Sequence, residues 1–195
     1  MITFLKAHRA EVRVVDTWNI PLAEMVGAHP NRQHVRQTQF LNTGEGYLFS
    51  ELICHALRMK EADAVTEMID LGTGSGLPSL RAVWESKQKS TPVQHLTGLD
   101  VDPDAIAVAQ YNAMVLGVES QANFLCQDIA SFLQNNVPKP HGLVATNPLT
   151  FPCQMVSTIL SSSPYAREKM ASNTSRQFSI IPGSLVHCFA FFPVH

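Results

Sequence analysis

The sequence is poor in charge and has no long apolar run. Charged residues make up 15% of the 195, and the formal net charge is -2, so the chain has no general electrostatic attraction for nucleic acid. No stretch approaches the roughly 18 to 20 apolar residues that a membrane-spanning helix needs. Lys6 and Arg9 interrupt the N-terminal segment before a signal-peptide core could form. We therefore expect a cytoplasmic protein, with the nucleus as the alternative location, and no membrane partner.

Cysteine is scarce and widely spaced, which argues against both a zinc site and a disulfide framework. The eight histidines are also dispersed without ligand spacing, so the sequence predicts no metal site. Glycine and proline show no period, which excludes collagen-like and repeat architectures. Hydrophobic residues make up 45% of the chain, enough for a core of ordinary size. The four cysteines are Cys54, Cys126, Cys153 and Cys188.

What the sequence does contain is an alternation of short apolar strands with amphipathic helices. This alternation predicts right-handed crossovers and an α/β fold, a mostly parallel sheet with helices on both faces. A turn over 43–46 leads into the first predicted helix. Helices are predicted over 47–57, 78–85, 105–116 and 129–134, and strands over 64–71, 93–100, 123–128 and 142–146. Farther along, 155–160 is a candidate helix, and 180–192 contains a turn followed by a fifth buried strand.

Polar residues and glycines follow the predicted strands at the point where each one ends. In an open parallel sheet the carboxyl ends of the strands form the ligand-binding edge, so these residues predict a binding site. Glycines let a backbone turn tightly and approach a ligand closely, and the helix that follows presents its N-terminus. The residues are Gly72, Gly74 and Gly76 after the first strand, Asp100 after the second, Asp128 after the third and Asn147 after the fourth.

Two of these segments carry a family resemblance. The loop DLGTGSG at 70–76 and the acidic segment GLDVDPDA at 98–105 resemble the class I, Rossmann-like methyltransferases that use S-adenosylmethionine, and the likeness runs from about 43 to 151. The resemblance implies that the loop contacts the methionine part and the ribose, that Asp100 accepts from the ribose hydroxyls, and that Asp128 and Ile129 meet the adenine. The implied cofactor-binding set is Asp70, Gly72, Thr73, Gly74, Gly76, Asp100, Val101, Asp128, Ile129 and Asn147.

A second likeness concerns the methyl acceptor. Asn147-Pro148 resembles the start of the Asn-Pro-Pro-Tyr/Phe motif of methyltransferases that modify planar nitrogens, although Leu149 replaces the second proline and the aromatic Phe151 stands one place late. In such enzymes the asparagine oxygen and the prolyl carbonyl accept hydrogen bonds from the target amine. The resemblance implies Asn147 and Pro148 as catalytic residues and a nitrogen of a protein or nucleic acid as the acceptor, with a small molecule as a further alternative.

Each of these residues also has a purely structural interpretation. The loop over 72–76 suits an ordinary strand–helix turn, and Asp100 suits a plain helix-entry acid. Asp102 and Asp128 suit helix N-caps, and Asn147-Pro148 suits an ordinary turn. A nicotinamide-dependent oxidoreductase shares the predicted architecture, but its G-x-G-x-x-G fingerprint would need glycine where this chain has Leu77. The glycine spacing therefore favours the methyltransferase.

The predicted domain organisation is a lead-in segment over 1–46 and a methyltransferase-like domain over 47–195. Because the resembling fold has seven strands, we expect the domain to be truncated after the fifth strand and incomplete at its C-terminal edge. An unpaired edge exposes backbone groups and apolar side chains. This predicts low stability, self-association or a partner subunit, and it leaves a non-catalytic, methyltransferase-like protein as the alternative function.

Overall fold

The computed structural model describes residues 2–7, 10–15, 20–25, 44–58, 65–87, 92–136, 142–146 and 188–191. The helices and strands alternate through the central part of the chain as predicted. In chain order they are α1 (Ile2–Ala7), β1 (Ala10–Val15), β2 (Ile20–Met25), α2 (Gly44–Arg58), β3 (Glu67–Leu71), α3 (Leu77–Ser86), β4 (His95–Asp100), α4 (Pro103–Leu116), β5 (Ala122–Cys126), α5 (Ile129–Asn135), β6 (Gly142–Thr146) and β7 (Cys188–Phe191).

Five of the strands form one sheet in the order β5-β4-β3-β6-β7. The pairs β3–β4, β3–β6 and β4–β5 are parallel, so the predicted α/β fold with a mostly parallel sheet is confirmed. β1 and β2 form a separate antiparallel hairpin. The strand order reverses at β3, since the chain runs from β3 outward to β5 on one side and returns to β6 on the other. Such a reversal is where ligands bind in open α/β sheets.

The last strand lies within the range 180–192 that was predicted to hold a turn and a strand. β7 spans Cys188–Phe191 and runs antiparallel to β6, with Ala145 opposite Phe189. The direction could not be read from the sequence because a buried apolar strand has the same composition whichever way it runs. Residues 155–160, predicted as a candidate helix, lie outside the described residues.

Two other boundaries differ for local reasons. α2 begins at Gly44, inside the segment predicted as a turn. α4 begins at Pro103, two residues earlier than predicted, because Asp102 is its N-cap and proline is well placed in the first turn of a helix. The Asp102 carboxylate accepts a hydrogen bond from the Asp104 backbone nitrogen at 3.0 Å.

Helices cover both faces of the sheet. The larger apolar cluster joins α2, α3 and α4 to one face, through residues such as Ile53, Leu80 and Met68. The smaller cluster joins α5 to the opposite face, where Phe132 packs with Leu99. β6 lies between two neighbours and is buried along its whole length. The carboxyl ends of β3, β4 and β6 are therefore held by a core on each side.

Ion pairs tie α2 to α3 beside the larger cluster. Arg81, nearly buried, lies 2.5 Å from Glu51 of α2 and 2.6 Å from Glu85 of its own helix. Arg58 lies 3.4 Å from the same Glu85. A guanidinium matched by two carboxylates fixes the relative position of the two helices.

The segment 1–46, predicted as a lead-in, contacts α4 in its described parts. The ring of Phe4 stacks on that of Tyr111, with centroids 5.4 Å apart, and β2 also lies against α4. The division into a lead-in and a domain remains a prediction. Across the described ranges, no helix combines the length and apolar character that crossing a bilayer would require.

Candidate cofactor site

The loop between β3 and α3 contains three glycines in the left-handed region of backbone space. Gly72, Gly74 and Gly76 have φ angles of 81°, 55° and 73°. Residues with a Cβ rarely adopt these angles, so the G-x-G-x-G spacing is a requirement of this backbone path. The predicted glycine loop is present, and it leads directly into the N-terminus of α3.

The end of β4 anchors the loop. The backbone nitrogens of Gly72 and Thr73 both donate to the carbonyl oxygen of Leu99, at 2.9 and 2.8 Å. The nitrogen of Gly74 donates to Oδ2 of Asp100 at 2.9 Å. Because Asp100 is 26 residues farther along the chain, the strand pairing brings together the two segments that the sequence suggested.

The Asp100 carboxylate is held at both oxygens and still faces solvent in part. Its Oδ1 accepts from the nitrogen of Asp102 at 3.0 Å, while Oδ2 accepts from Gly74. An ionised carboxylate has about four acceptor positions, so two remain for hydroxyl donors of a ligand. The carboxylate is thus oriented in advance by backbone groups.

The space beside Gly72 is open. A Cβ placed on Gly72 would have no heavy atom within 4 Å. In contrast, a Cβ on Gly76 would lie 3.0 Å from the Cβ of Ala109, and one on Gly98 would lie 2.5 Å from the Phe124 ring. The loop is therefore closely packed at Gly76 and open at Gly72.

Asp70 lies beneath the loop rather than on its surface. It is 2% exposed, and its Oδ2 accepts from the Thr73 hydroxyl at 2.7 Å and from the Ser79 hydroxyl. Burial raises its pKa from 3.8 to about 6; the two hydroxyls oppose this rise and the charge of Asp100 adds to it. The resemblance implied Asp70 as a cofactor-binding residue; in the structure its carboxylate fastens the loop to the first turn of α3.

The predicted adenine side of the site lies around the ends of β4 and β5. Val101 is 47% exposed and presents an apolar side chain next to Asp100. Asp128 is exposed, and its Oδ1 accepts from the nitrogen and hydroxyl of Ser131, so it caps α5. Ile129 turns its side chain into the smaller apolar cluster. The capping interpretation of Asp128 is therefore observed, and its exposed position also leaves it accessible to a ligand.

The predicted catalytic residues, Asn147 and Pro148, lie outside the described residues. The strand that precedes them is described and ends at Thr146. In the sequence, the predicted amine clamp follows directly after this strand, which pairs with β3. Among the residues that the structure describes, no group of three or more His, Cys, Asp or Glu side chains could hold a metal ion.

Sequence reasoning missed three polar side chains that hold the loop. Ser79 bonds to Asp70, the Asn112 amide donates to the carbonyl of Ser75 at 3.0 Å, and the Thr146 hydroxyl donates to the carbonyl of Leu71 at 3.0 Å. Asn112 could have been found, because it is a polar residue on the apolar stripe of a helix. Ser79 and Thr146 carry no such signal, since serine in a first turn and threonine in a strand are ordinary.

Comparison with known families defines the class. The glycine loop, the acidic end of the neighbouring strand and the helix-covered parallel sheet are those of a class I, Rossmann-like S-adenosylmethionine-dependent methyltransferase. Within that class, the chain belongs to the family described as ribosomal protein L11 methyltransferase (PrmA), whose sequence model matches residues 51–160. The resemblance to the class I methyltransferases stated from the sequence is confirmed, and the nicotinamide alternative is not favoured. The likeness to the Asn-Pro-Pro-Tyr/Phe motif remains a prediction.

Two curated relatives and one solved structure illustrate the likeness. The chain is 28% identical over 118 residues to a tRNA1(Val) (adenine(37)-N6)-methyltransferase of Pseudoalteromonas atlantica, covering 60% of this chain and 42% of the relative. It is 27% identical over 140 residues to a release factor glutamine methyltransferase of Koribacter versatilis, covering 72% and 40%. A SAM-dependent methyltransferase from Agrobacterium tumefaciens aligns with a TM-score of 0.49 at 13% identity, covering 88% and 66%. The chain spans about two fifths of the length of the two curated relatives.

Proposed function

We propose that this chain binds S-adenosylmethionine at the glycine loop and transfers its methyl group to a nitrogen atom of a protein or nucleic acid. The observation that carries the proposal is the Asp100 carboxylate, which two backbone N–H groups hold at the end of β4, bonded to the same glycine loop that is open at Gly72. A fixed acceptor next to an unobstructed glycine backbone suits a ribose with two adjacent hydroxyls.

Different described residues would contact different parts of the cofactor. The loop over 72–76 would lie along the methionine part and the ribose, where glycine leaves the backbone accessible. Asp100 would accept from the ribose hydroxyls. The exposed Val101 would pack on one face of the adenine, while Asp128 and the backbone of Ile129 would line its edge. Asp70 supports this arrangement from below, through Thr73 and α3.

Methyl transfer from this cofactor requires little acid or base catalysis from the protein. The bound cofactor supplies a methyl group on a positively charged sulfur, which leaves as a neutral thioether. The protein residues therefore act mainly by alignment, and no catalytic histidine or cysteine is required. Asn147 and Pro148 would accept hydrogen bonds from the target amine and turn the nitrogen toward the methyl group, and Phe151, the next aromatic in the sequence, is the candidate to stack on a planar acceptor.

The acceptor class follows from the relatives and from the predicted clamp. The two curated relatives are named for methylation at adenine N6 of a tRNA and at glutamine of a release factor, and both groups are planar nitrogens. The family description names a ribosomal protein. The two curated relatives therefore share a planar nitrogen on a macromolecule as the acceptor, and the predicted Asn147-Pro148 pair suits such a nitrogen. We further propose that the outer edge of the sheet pairs with a partner subunit or with a second copy of the chain.

The test is calorimetric titration of the purified chain with S-adenosylhomocysteine and, separately, with NADH. We expect the first to bind and the second not to. Asp100→Asn should weaken binding by about tenfold to a hundredfold. The asparagine amide has one acceptor oxygen where two backbone N–H groups need one each, and hydroxyl groups donate stronger hydrogen bonds to a charged carboxylate than to a neutral amide. Asp102→Asn is the matched control, since it removes the same charge two residues away and keeps a good N-cap.

Each outcome of the titrations decides between the proposed cofactor site and an alternative. Equal weakening by Asp100→Asn and Asp102→Asn would mean that only net charge matters, and the ribose role of Asp100 would be wrong. If a folded chain binds neither ligand, the loop is structural and the non-catalytic alternative holds. Binding of NADH alone would favour the oxidoreductase.

A further inference from the structure

We propose that Asn112 and Thr146 are positioning residues that hold the glycine loop in its binding geometry, an inference that rests on the proposed function of the loop. Neither side chain is accessible: Asn112 is 0% and Thr146 is 1% exposed. Both come from elements outside the loop, α4 and β6. They would act on a cofactor only through the backbone that they hold.

Asn112 fixes the peptide unit at the end of the loop. Its side-chain nitrogen donates to the carbonyl oxygen of Ser75 at 3.0 Å. The other half of the same peptide unit, the nitrogen of Gly76, donates to the carbonyl of Thr73 at 2.8 Å. A peptide unit moves as a rigid plane, so holding it at both its C=O and its N–H prevents it from rotating.

Thr146 does the same at the start of the loop. Its hydroxyl donates to the carbonyl oxygen of Leu71 at 3.0 Å. The nitrogen of Gly72, in the same peptide unit, donates to the carbonyl of Leu99 at 2.9 Å. The last peptide unit of β3 is therefore held from both neighbouring strands, by a side chain on one side and by the backbone on the other.

The two fixed peptide units, Leu71–Gly72 and Ser75–Gly76, lie at the two ends of the glycine loop. Glycine has the largest backbone freedom of any residue, so a loop with three of them would otherwise occupy many conformations. A ligand that binds one conformation has an apparent affinity reduced by the fraction of molecules in that conformation. Fixing both ends of the loop raises that fraction before the cofactor arrives.

Variants can separate positioning from general stability. Thr146→Val removes the hydroxyl and keeps the shape of the side chain, whereas Thr146→Ser keeps the hydroxyl. Asn112→Leu removes the amide and keeps a similar shape. Val108→Ala is the control on α4: it removes buried volume from the same helix at a residue with no side-chain hydrogen bond to give.

Two measurements are made on the full chain, at a temperature where every variant is folded. One is the Kd for S-adenosylhomocysteine, and the other is amide hydrogen exchange of residues 72–76 without ligand. We expect Thr146→Val and Asn112→Leu to weaken binding by about fivefold or more and to speed exchange in the loop. Thr146→Ser and Val108→Ala should keep the wild-type Kd and the wild-type loop exchange.

The proposal is overturned if Thr146→Val and Thr146→Ser behave alike in both measurements. It is also overturned if Val108→Ala weakens binding as much as Asn112→Leu. If the wild-type chain does not bind S-adenosylhomocysteine, the proposed function fails on that result alone. Hydrogen exchange then decides the positioning role: faster loop exchange in Thr146→Val and Asn112→Leu supports it, and unchanged exchange refutes it.

Discussion

Replacing Asp70 by asparagine should make the stability of the chain less dependent on pH. Burial raises the pKa of this carboxyl from 3.8 to about 6, so the folded chain holds the proton more tightly than the unfolded chain. Its contribution to stability is complete below pH 3.8 and is lost as the pH rises through about 6. The asparagine variant has no proton to lose there.

The magnitude follows from the size of the rise in pKa. A rise from 3.8 to about 6 corresponds to about 3 kcal/mol of lost stability well above pH 6. Of this, about 2 kcal/mol is lost between about pH 4.5 and about pH 8. Asparagine fits the site, because the Thr73 and Ser79 hydroxyls both donate to a single oxygen of Asp70, and one amide oxygen can replace it.

The assay is urea unfolding followed by circular dichroism at several pH values between these limits. The difference in free energy of unfolding between Asp70→Asn and wild type should shift in favour of the variant by about 2 kcal/mol from pH 4.5 to pH 8. Glu119→Gln, which removes one exposed carboxylate, controls for net charge. A difference that does not change with pH would refute the reasoning, because it would mean that Asp70 is ionised equally easily in both states.

Two further predictions concern packing and thiol chemistry. Gly98→Ala should destabilise the fold by about 1–3 kcal/mol in urea unfolding, because its Cβ would lie 2.5 Å from the Phe124 ring and 3.0 Å from the Thr73 hydroxyl oxygen; wild-type stability would contradict the close packing described here. Cys54 should stay unmodified during brief alkylation of the native chain at pH 8 while the exposed Cys126 reacts, because burial, followed by the charge of Glu85, raises the Cys54 pKa to about 12. Peptide mass spectrometry reads both thiols, and labelling of Cys54 before Cys126 would show that its burial is wrong.

The sequence predicted the parts of the fold that depend on local pattern. The bounds of β6, the glycine loop and the order of strands and helices need only periodicity and turn residues. The direction of β7 and the burial of Asp70 could not be predicted in this way, because each depends on what another segment places beside it. In the sequence Asp70 resembles an acidic residue of the loop. Only the structure shows that the Ser79 hydroxyl, nine residues farther along, donates a hydrogen bond to it.

The same limit applied inside the helices. Ile106, Ala109 and Ala113 define the apolar face of α4 in the sequence, and Asn112 lies on that face in the structure. Periodicity treats such a residue as an exception to the pattern. Asn112 lies on the apolar face because it bonds to Ser75, 37 residues earlier. A pattern confined to one helix cannot predict a partner so far away along the chain.

The hydrogen bond between Thr146 and Leu71 also bears on the order in which the site can form during synthesis. The two residues are 75 positions apart, so the ribosome adds the glycine loop long before it adds the hydroxyl that holds the loop's first peptide unit. Contacts of such long separation require closure of a large loop of chain and form slowly. β4 and α4 can therefore hold the nascent loop first, through Leu99, Asp100 and Asn112, and the carbonyl of Leu71 gains its Thr146 partner only when β6 pairs with β3.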